Sequence, residues 1–226
     1  MDSLSRNLLD IKKKIASSAS KVGRSSEEIT LIAVSKKVDV ETAQAAFKLG
    51  IQDFGENRVP ELNKKNGVIP EARWHMIGRL QTNKVKDVVE QACLIHSLDR
   101  WNLAEEISKR AKQFGIEVPV LLEVNVSGEE EKAGVKPNDV KPFLQSIGEL
   151  PGIRICGFMT MAPLSMEAEQ TRPVFKELKQ LFENLKTESF MSVELKYLSM
   201  GMSQDFEVAI EEGANMVRIG TALFKP

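Results

Sequence analysis

A lysine that follows an apolar run is the clearest residue for covalent chemistry in this sequence of 226 residues. Lys36 comes directly after LIAVS, a run typical of a buried strand. Carried to the lip of an apolar core, its amine would be desolvated, which disfavours the charged form. A neutral amine attacks aldehydes, so Lys36 is a candidate for Schiff-base formation. The alternative is a solvated lysine that ends a strand, as Lys37 beside it does.

Small polar residues near the C-terminus could hold a phosphate. In RIGT, Gly220 and Thr221 offer backbone N–H groups and a hydroxyl, and SMGMS adds Ser199, Gly201 and Ser203. A glycine after a strand lets the backbone approach a ligand closely. The alternative is that Gly220 only makes a turn, because a G-T pair alone is weak evidence.

Other polar residues stand where predicted strands end. Asn57 and Arg218 are candidates for a pocket, whereas His75 fits a core histidine equally well and Met159 fits a gap-filler near the top of a core. Arg79, Lys84 and Lys86 could bind an anion, although basic side chains on a helix usually face water.

The elements that must position these residues alternate between strands and helices. Several of the strands lack polar alternation, which is typical of a parallel sheet covered by helices on both faces. Eight such strands favour an α/β fold of one domain, a closed (β/α)8 TIM barrel, with an open doubly wound sheet as the alternative. The predicted strands cover residues 29–35, 52–55, 73–78, 93–98, 118–126, 153–160, 195–199 and 216–220.

Helix signals lie between these strands. Asp39 and Asp99 are expected to cap the helices that end at Gly50 and Gly115. The first 20 residues form an amphipathic helix capped by Asp2 or Ser3, with Leu4, Leu8, Ile11 and Ile15 on one face. Because no helix is expected after the last strand, we expect this N-terminal helix to pack on the barrel there, within a single domain of residues 1–226.

Composition excludes several classes of protein. There are 31 Lys and Arg residues against 32 Asp and Glu, so the net charge of −1 argues against a nucleic-acid-binding domain. No apolar run is long enough to span a bilayer, and the first residues lack a secretory signal. The two cysteines show no metal-ligand spacing and fit a reducing compartment. We therefore expect a cytoplasmic protein that binds neither metal, nucleic acid nor membrane.

Seven motifs in order make the sequence closely similar to the pyridoxal phosphate homeostasis protein family, also called the proline synthase co-transcribed family. They span nearly the whole chain. The motifs are AVSK (33–36), FGEN (54–57), WHMIGRLQTNK (74–84), NVSGEEEKAG (125–134), GFMTMAP (157–163), LSMGMSQDF (198–206) and VRIGTALF (217–224).

The resemblance implies a barrel like the N-terminal domain of alanine racemase, with pyridoxal 5′-phosphate held as an imine on Lys36. Arg218 would face the pyridine nitrogen. The phosphate would lie among Ser199, Ser203, Gly220 and Thr221, and the pocket would be lined by Asn57, His75 and Met159.

The implied function is to bind the cofactor and maintain its intracellular level, without established catalysis. The implied partners are the cofactor and recipient pyridoxal phosphate-dependent apoenzymes, with the protein a monomer or weak dimer. A weak amino-acid racemase is the enzyme alternative, but Arg218 would leave the ring nitrogen unprotonated, and the chain has one tyrosine, Tyr197, inside a predicted strand. A barrel that uses its top only for protein contacts is a third alternative.

Overall fold

The computed structural model describes residues 2–129, 132–163 and 167–225. The predicted domain of residues 1–226 therefore includes residues outside this description, namely Met1, Glu130, Glu131, residues 164–166 and Pro226. Two of them, Glu130 and Glu131, belong to the NVSGEEEKAG motif. In the part of the chain that is described, no helix has the length and apolar character needed to cross a membrane.

Eight parallel strands close into a barrel in the order of the sequence, so the predicted (β/α)8 class is confirmed. The strands are β1 (Thr30–Val34), β2 (Asp53–Glu56), β3 (Arg73–Met76), β4 (Leu94–Leu98), β5 (Val118–Glu123), β6 (Ile153–Met159), β7 (Val193–Ser199) and β8 (Met216–Ile219). The helices are α1 (Ser3–Lys21), α2 (Val40–Lys48), α3 (Val59–Asn66), α4 (Trp101–Phe114), α5 (Pro137–Ile147), α6 (Arg172–Lys186), α7 (Phe206–Glu211) and α8 (Thr221–Phe224).

Pairing of β1 with both β2 and β8 closes the barrel. Side chains alternate along each strand, so one set points into the barrel and the other packs beneath the helices. The barrel interior contains a small apolar cluster, while a larger core lies between the strands and the helices. The small cluster consists of Ile32, Leu94, Leu121, Cys156, Met159 and Met216.

The N-terminal helix lies against the C-terminal elements. The Asp2 carboxylate caps α1 by accepting a hydrogen bond of 2.7 Å from the Ser5 amide, and the helix packs on α7 and α8. The Asn7 amide donates to the Leu223 carbonyl over 3.0 Å, which ties α1 to the end of the chain. The short helix α8 differs from the expectation that no helix follows the last strand, because Thr221–Phe224 has room for one turn.

Two connections differ from the sequence-based prediction. Asp99 does not cap α4, whose N-cap is Arg100 with no side-chain cap, because the Asp99 carboxylate is engaged by the guanidinium groups of Arg79 and Arg100. Between β3 and β4 the chain forms a 3-10 helix, Thr82–Asp87, in place of an α-helix. Both connections lie at the end of the barrel where the strands finish.

Candidate functional site

A cavity of about 600 Å³ opens at the carboxyl ends of the barrel strands. It brings together residues from β1, β2, β7 and β8 and the segments that follow them, which are far apart in sequence. Six of the residues predicted for the site line it: Lys36, Asn57, Ser203, Arg218, Gly220 and Thr221.

Lys36 lies at the rim of this cavity, two residues beyond the end of β1. Val34 also lines the cavity, and the alternation of side chains along the strand directs Lys36 to the same side. The next residue, Lys37, has a left-handed backbone with φ of 63°, so the chain turns immediately after Lys36. The Lys36 side chain is exposed, which differs from the expected desolvation at the lip.

A buried ion pair fixes the backbone in front of both Lys36 and Asn57. The Lys65 ammonium, 1 % exposed, donates to a Glu56 carboxylate oxygen over 2.6 Å and to the Ser35 carbonyl over 2.7 Å. The Ser35 hydroxyl donates to the same Glu56 oxygen over 2.7 Å. Helix α3 is thereby bonded to the ends of β1 and β2, directly before the two site residues. Sequence reasoning missed Lys65, because a lysine on a short helix gives no local sign of burial.

Arg218 forms the floor of the cavity and is 4 % exposed. One terminal nitrogen, Nη1, donates to the Ser199 hydroxyl over 2.6 Å, and the other, Nη2, donates to the Thr160 carbonyl over 2.9 Å. Burial lowers the pKa of the Arg218 guanidinium to about 10, against the opposing effect of the Glu123 and Asp205 carboxylates. The group therefore stays protonated at neutral pH and places a fixed positive charge beneath the cavity.

Below Arg218, four further side chains form a chain of hydrogen bonds through the barrel interior, here called the buried relay. The Ser199 hydroxyl contacts His96 Nδ1 at 2.9 Å, His96 Nε2 contacts His75 Nδ1 at 3.0 Å, and His75 Nε2 contacts a carboxylate oxygen of Asp53 at 3.0 Å.

The chemistry of its two ends fixes the donors there. A guanidinium can only donate and a carboxylate can only accept. The Ser199 hydroxyl therefore accepts from Arg218 at one end, and His75 Nε2 donates to Asp53 at the other.

Burial and neighbouring charges set the pKa values of two members of the relay. Burial holds the pKa of His96 well below its usual value, and the positive charge of Arg218 lowers it further. Burial raises the pKa of Asp53, but hydrogen bonds from His75 and Arg73 outweigh it and the net pKa is lowered. The relay thus includes a neutral His96 and an ionised Asp53, and it holds Ser199 in the orientation that receives Arg218.

Small polar groups gather on the β7–β8 side of the cavity. Thr221 begins α8, and the first N–H groups of a helix have no partner within that helix. The Ser203 hydroxyl accepts a hydrogen bond of 3.2 Å from the Ala222 amide, which places its oxygen beside this turn. A Cβ on Gly220 would lie 3.1 Å from the Val34 carbonyl oxygen, so the absence of a side chain permits close packing against β1.

Four of the predicted site residues do not line the cavity. His75 is 2 % exposed, and both of its ring nitrogens are taken by Asp53 and His96, one layer below the cavity. Met159, the register partner of Glu123, packs in the small apolar cluster of the barrel interior. Ser199 is fully buried beneath Arg218, and Gly201 is buried with a φ of 91°. The strand register explains the placement of His75 and Ser199, whose side chains turn into the barrel below the rim.

Two carboxyl groups of the cavity wall were not predicted, Glu123 and Asp205. Burial raises the pKa of Glu123 to about 7, with Asp99 adding to the rise and Arg218 and Arg79 opposing it. Burial also raises the pKa of Asp205, although its side chain accepts a hydrogen bond of 2.6 Å from the Met202 amide. Glu123 closes strand β5, and its position at a strand end was the available signal.

The barrel and its polar cavity place this chain in the class described as alanine racemase, N-terminal domain, which residues 6–226 match. The chain is 46% identical over 214 residues to a pyridoxal phosphate homeostasis protein of Aquifex aeolicus, covering 94% of this chain and 93% of that protein. It is 34% identical to one of Pseudomonas aeruginosa, covering 99% and 96%. The chain belongs to the pyridoxal phosphate homeostasis protein family.

Solved structures agree with this assignment. PipY of Synechococcus elongatus solved with pyridoxal phosphate bound has 34% identity and a TM-score of 0.82, covering 95% of this chain and 100% of that one. PipY solved without the cofactor has 35% identity and a TM-score of 0.84, with the same coverage. An alanine racemase of Clostridium difficile, 18% identical with a TM-score of 0.71 and covering 96% of this chain and 56% of that one, shares the fold.

Proposed function

We propose that this protein binds pyridoxal 5′-phosphate in the cavity at the top of the barrel, attached to Lys36 as a Schiff base. Its role would be to hold and release the cofactor, and so to maintain its free level, rather than to turn over a substrate. The observation that carries the proposal is the convergence of Lys36, the buried Arg218 and the Ser203–Thr221 side on one cavity. The relatives named for pyridoxal phosphate homeostasis support it.

The residues of the cavity fit the chemical groups of this cofactor. A volume of about 600 Å³ is typical of a small-molecule pocket. The aldehyde would meet the Lys36 amine, the pyridine nitrogen would accept from Arg218, and the phosphate would receive hydrogen bonds on the side of Ser203, Gly220 and Thr221. PipY, whose structure was solved with pyridoxal phosphate bound, supports the same class of ligand.

When bound, the cofactor supplies an electrophilic aldehyde carbon, to which the Lys36 amine adds with loss of water. Arg218 would keep its own proton and donate a hydrogen bond to the ring nitrogen, because a guanidinium does not deprotonate at neutral pH. A ring held in this way withdraws electrons poorly. The buried relay would hold Arg218 in place from below, so that the site favours retention of the cofactor over carbanion chemistry.

A weak racemase is the second candidate function, and one observation favours it. A racemase needs a proton-transfer group on the face opposite the lysine. Tyr197 packs against the small apolar cluster of the barrel interior, does not line the cavity and does not supply that group. Glu123 lines the cavity with a pKa of about 7, which suits proton exchange at neutral pH.

The experiment for the binding function compares Lys36→Ala with Lys37→Ala, a matched change one residue along. Titration with pyridoxal phosphate should give the Schiff-base absorbance band in the parent and in Lys37→Ala. Lys36→Ala should fold, lose the band and retain weaker binding, because the remaining contacts persist. A band that survives in Lys36→Ala and disappears in Lys37→Ala would contradict the proposal.

Catalysis is tested separately, by following deuterium exchange at the α-carbon of amino acids at catalytic protein concentration. The proposal expects no exchange at enzymatic rates, which are on the order of 1 to 1,000 per second. Exchange at such rates that Glu123→Gln abolishes would establish the racemase instead.

The whole barrel would act as one cofactor-binding domain in the cytoplasm. Cys93 and Cys156 are both free thiols, which supports a reducing compartment. Recipients of the cofactor would be pyridoxal phosphate-dependent apoenzymes.

A further inference from the structure

A second cavity adjoins the first at the ends of β2, β3 and β4. It measures about 810 Å³ and is here called the arginine cleft, because Arg58, Arg79 and Arg100 line it. The rest of its described lining carries no carboxylate: Asn57, Gly78, Leu80, Gln81, Thr82 and Asn83. The WHMIGRLQTNK motif supplies most of this wall, and the proposed function leaves residues 79–84 without a role.

A buried carboxylate gathers two of the three arginines. The Asp99 side chain is 3 % exposed and lies behind the cleft, where one oxygen pairs with the Arg100 guanidinium and the other lies 3.4 Å from Arg79 Nε. Arg100 Nη2 also donates to the Leu80 carbonyl over 2.9 Å. Two like charges that would otherwise separate are therefore held at one wall.

Most donors of these arginines remain available for a ligand. Each guanidinium carries five N–H donors. Within residues 2–129, 132–163 and 167–225, the structure gives the Arg58 side chain no hydrogen-bond partner, and only Nε of the Arg79 guanidinium is engaged. Arg58 and Arg100 are also the N-cap residues of α3 and α4, and neither helix has a side-chain cap, unlike α1 and α2.

Charge balance selects the ligand. Three guanidinium groups and the single carboxylate of Asp99 leave a local charge of about +2, which a phosphate monoester of about −1.5 to −2 would match and a monocarboxylate would not. Guanidinium groups also bind phosphate oxygens in pairs. We infer that the arginine cleft is a second binding site, separate from the cofactor cavity, for the phosphate group of a small molecule.

The cleft and the cofactor cavity share one wall. Asn57, Gly78 and Arg79 line both. A Cβ on Gly78 would overlap the Asn57 backbone, so this glycine allows the ends of β2 and β3 to approach closely and keeps the wall thin. Because Ser203, Gly220 and Thr221 lie on the β7–β8 side of the barrel, a phosphate in the arginine cleft would not compete for those donors.

The test follows the Nε–Hε signals of isotope-labelled arginines by NMR in the full cofactor-free chain. Inorganic phosphate and glycerol 3-phosphate are titrated at constant ionic strength, with acetate as the monoanion. Arg58→Gln, Arg79→Gln and Arg100→Gln assign the signals. Each should weaken binding about tenfold, the lower end expected for a hydrogen bond to a charged group. Arg6→Gln, an exposed arginine on α1, should leave the affinity unchanged.

The backbone amides of Gly220 and Thr221 report the cofactor cavity independently, so failure of either site is recognised separately. The inference is supported if both phosphates shift the three arginine signals saturably at concentrations where acetate has no effect. If glycerol 3-phosphate binds more tightly than inorganic phosphate, the ligand is a phosphate ester and not free phosphate. If acetate shifts the arginine signals equally, the shifts report only charge screening and the inference is overturned. Saturation by a glutamate-rich peptide but not by phosphate would also overturn it, in favour of an acidic protein partner.

Discussion

Replacement of Glu123 by glutamine should stabilise the cofactor-free protein, and more so at higher pH. The carboxyl is 4 % exposed, lines the cavity and has a pKa of about 7 against the usual 4.5. In the native state it resists ionisation, because burial removes the water that solvates its charge. Glutamine keeps the size of the side chain and removes the titration.

The magnitude follows from linkage. The native pKa lies above the unfolded one, so the carboxyl contributes stability that is fully present below pH 4.5 and is lost as pH rises through 7. A shift from 4.5 to about 7, at about 1.4 kcal/mol per pH unit, corresponds to a total of about 3 kcal/mol. Between pH 5 and pH 8.5, the difference in unfolding free energy between variant and parent should therefore grow by about 2 to 3 kcal/mol.

Chemical denaturation at 25 °C, at intervals across this pH range, measures the effect. Other titrating groups such as His96 contribute equally to both proteins and cancel in the difference. Glu71→Gln, at an exposed carboxyl, is the matched control, and its unfolding free energy should have the same pH dependence as that of the parent. If the unfolding free energy of Glu123→Gln also has the same pH dependence as that of the parent, the Glu123 carboxyl is solvated in the native state and is not a buried part of the cavity wall.

Three further outcomes are expected. Lys65→Met should lower the unfolding free energy by about 3 to 5 kcal/mol in denaturant titrations, because it leaves the buried Glu56 carboxylate without its cation. The double variant with Glu56→Gln should recover part of this loss. If the losses of the two single variants simply add in the double variant, the ion pair is contradicted. Calorimetry should show that pyridoxal binds far more weakly than its phosphate, because the binding free energy loses about 1.5 to 3 kcal/mol for each hydrogen bond to the charged phosphate. Equal affinities would exclude a phosphate site in the cavity. Gly157→Ala should lower the melting temperature sharply in a thermal scan, because φ is 150° and a Cβ would overlap the Tyr197 carbonyl; an unchanged melting temperature would contradict the strand spacing.

The barrel could be predicted from the sequence because each strand and helix carries a local signal. Apolar runs and capping residues such as Asp39 act within a few residues of themselves, and the Asp39 carboxylate does cap α2, at 2.7 Å from the Thr42 amide. Asp99 has the same local signature, but its carboxylate pairs with Arg79, twenty residues earlier. Only the pairing of β3 with β4 brings these two side chains together, so the local rule gave the wrong cap.

The site was predictable in outline for the same reason. Parallel strands bring their carboxyl ends to one edge, and a closed barrel makes the first and last strands neighbours. The predicted barrel therefore places Lys36 close to Arg218, and both line the same cavity. The depth of each side chain was not predictable. His75 lies below the cavity because the stagger of the strands sets the layer a residue occupies, and no single strand determines this stagger.

The central claim is that Lys36 is the point of attachment, and borohydride reduction followed by peptide mass spectrometry tests it most directly. Reduction of the protein with pyridoxal phosphate present should fix one cofactor on the peptide that contains Lys36, and fragmentation should place it on that residue and not on Lys37. The adduct should disappear in Lys36→Ala. A stoichiometric adduct on Lys37 or on Lys132, which also lines the cavity, would contradict the account.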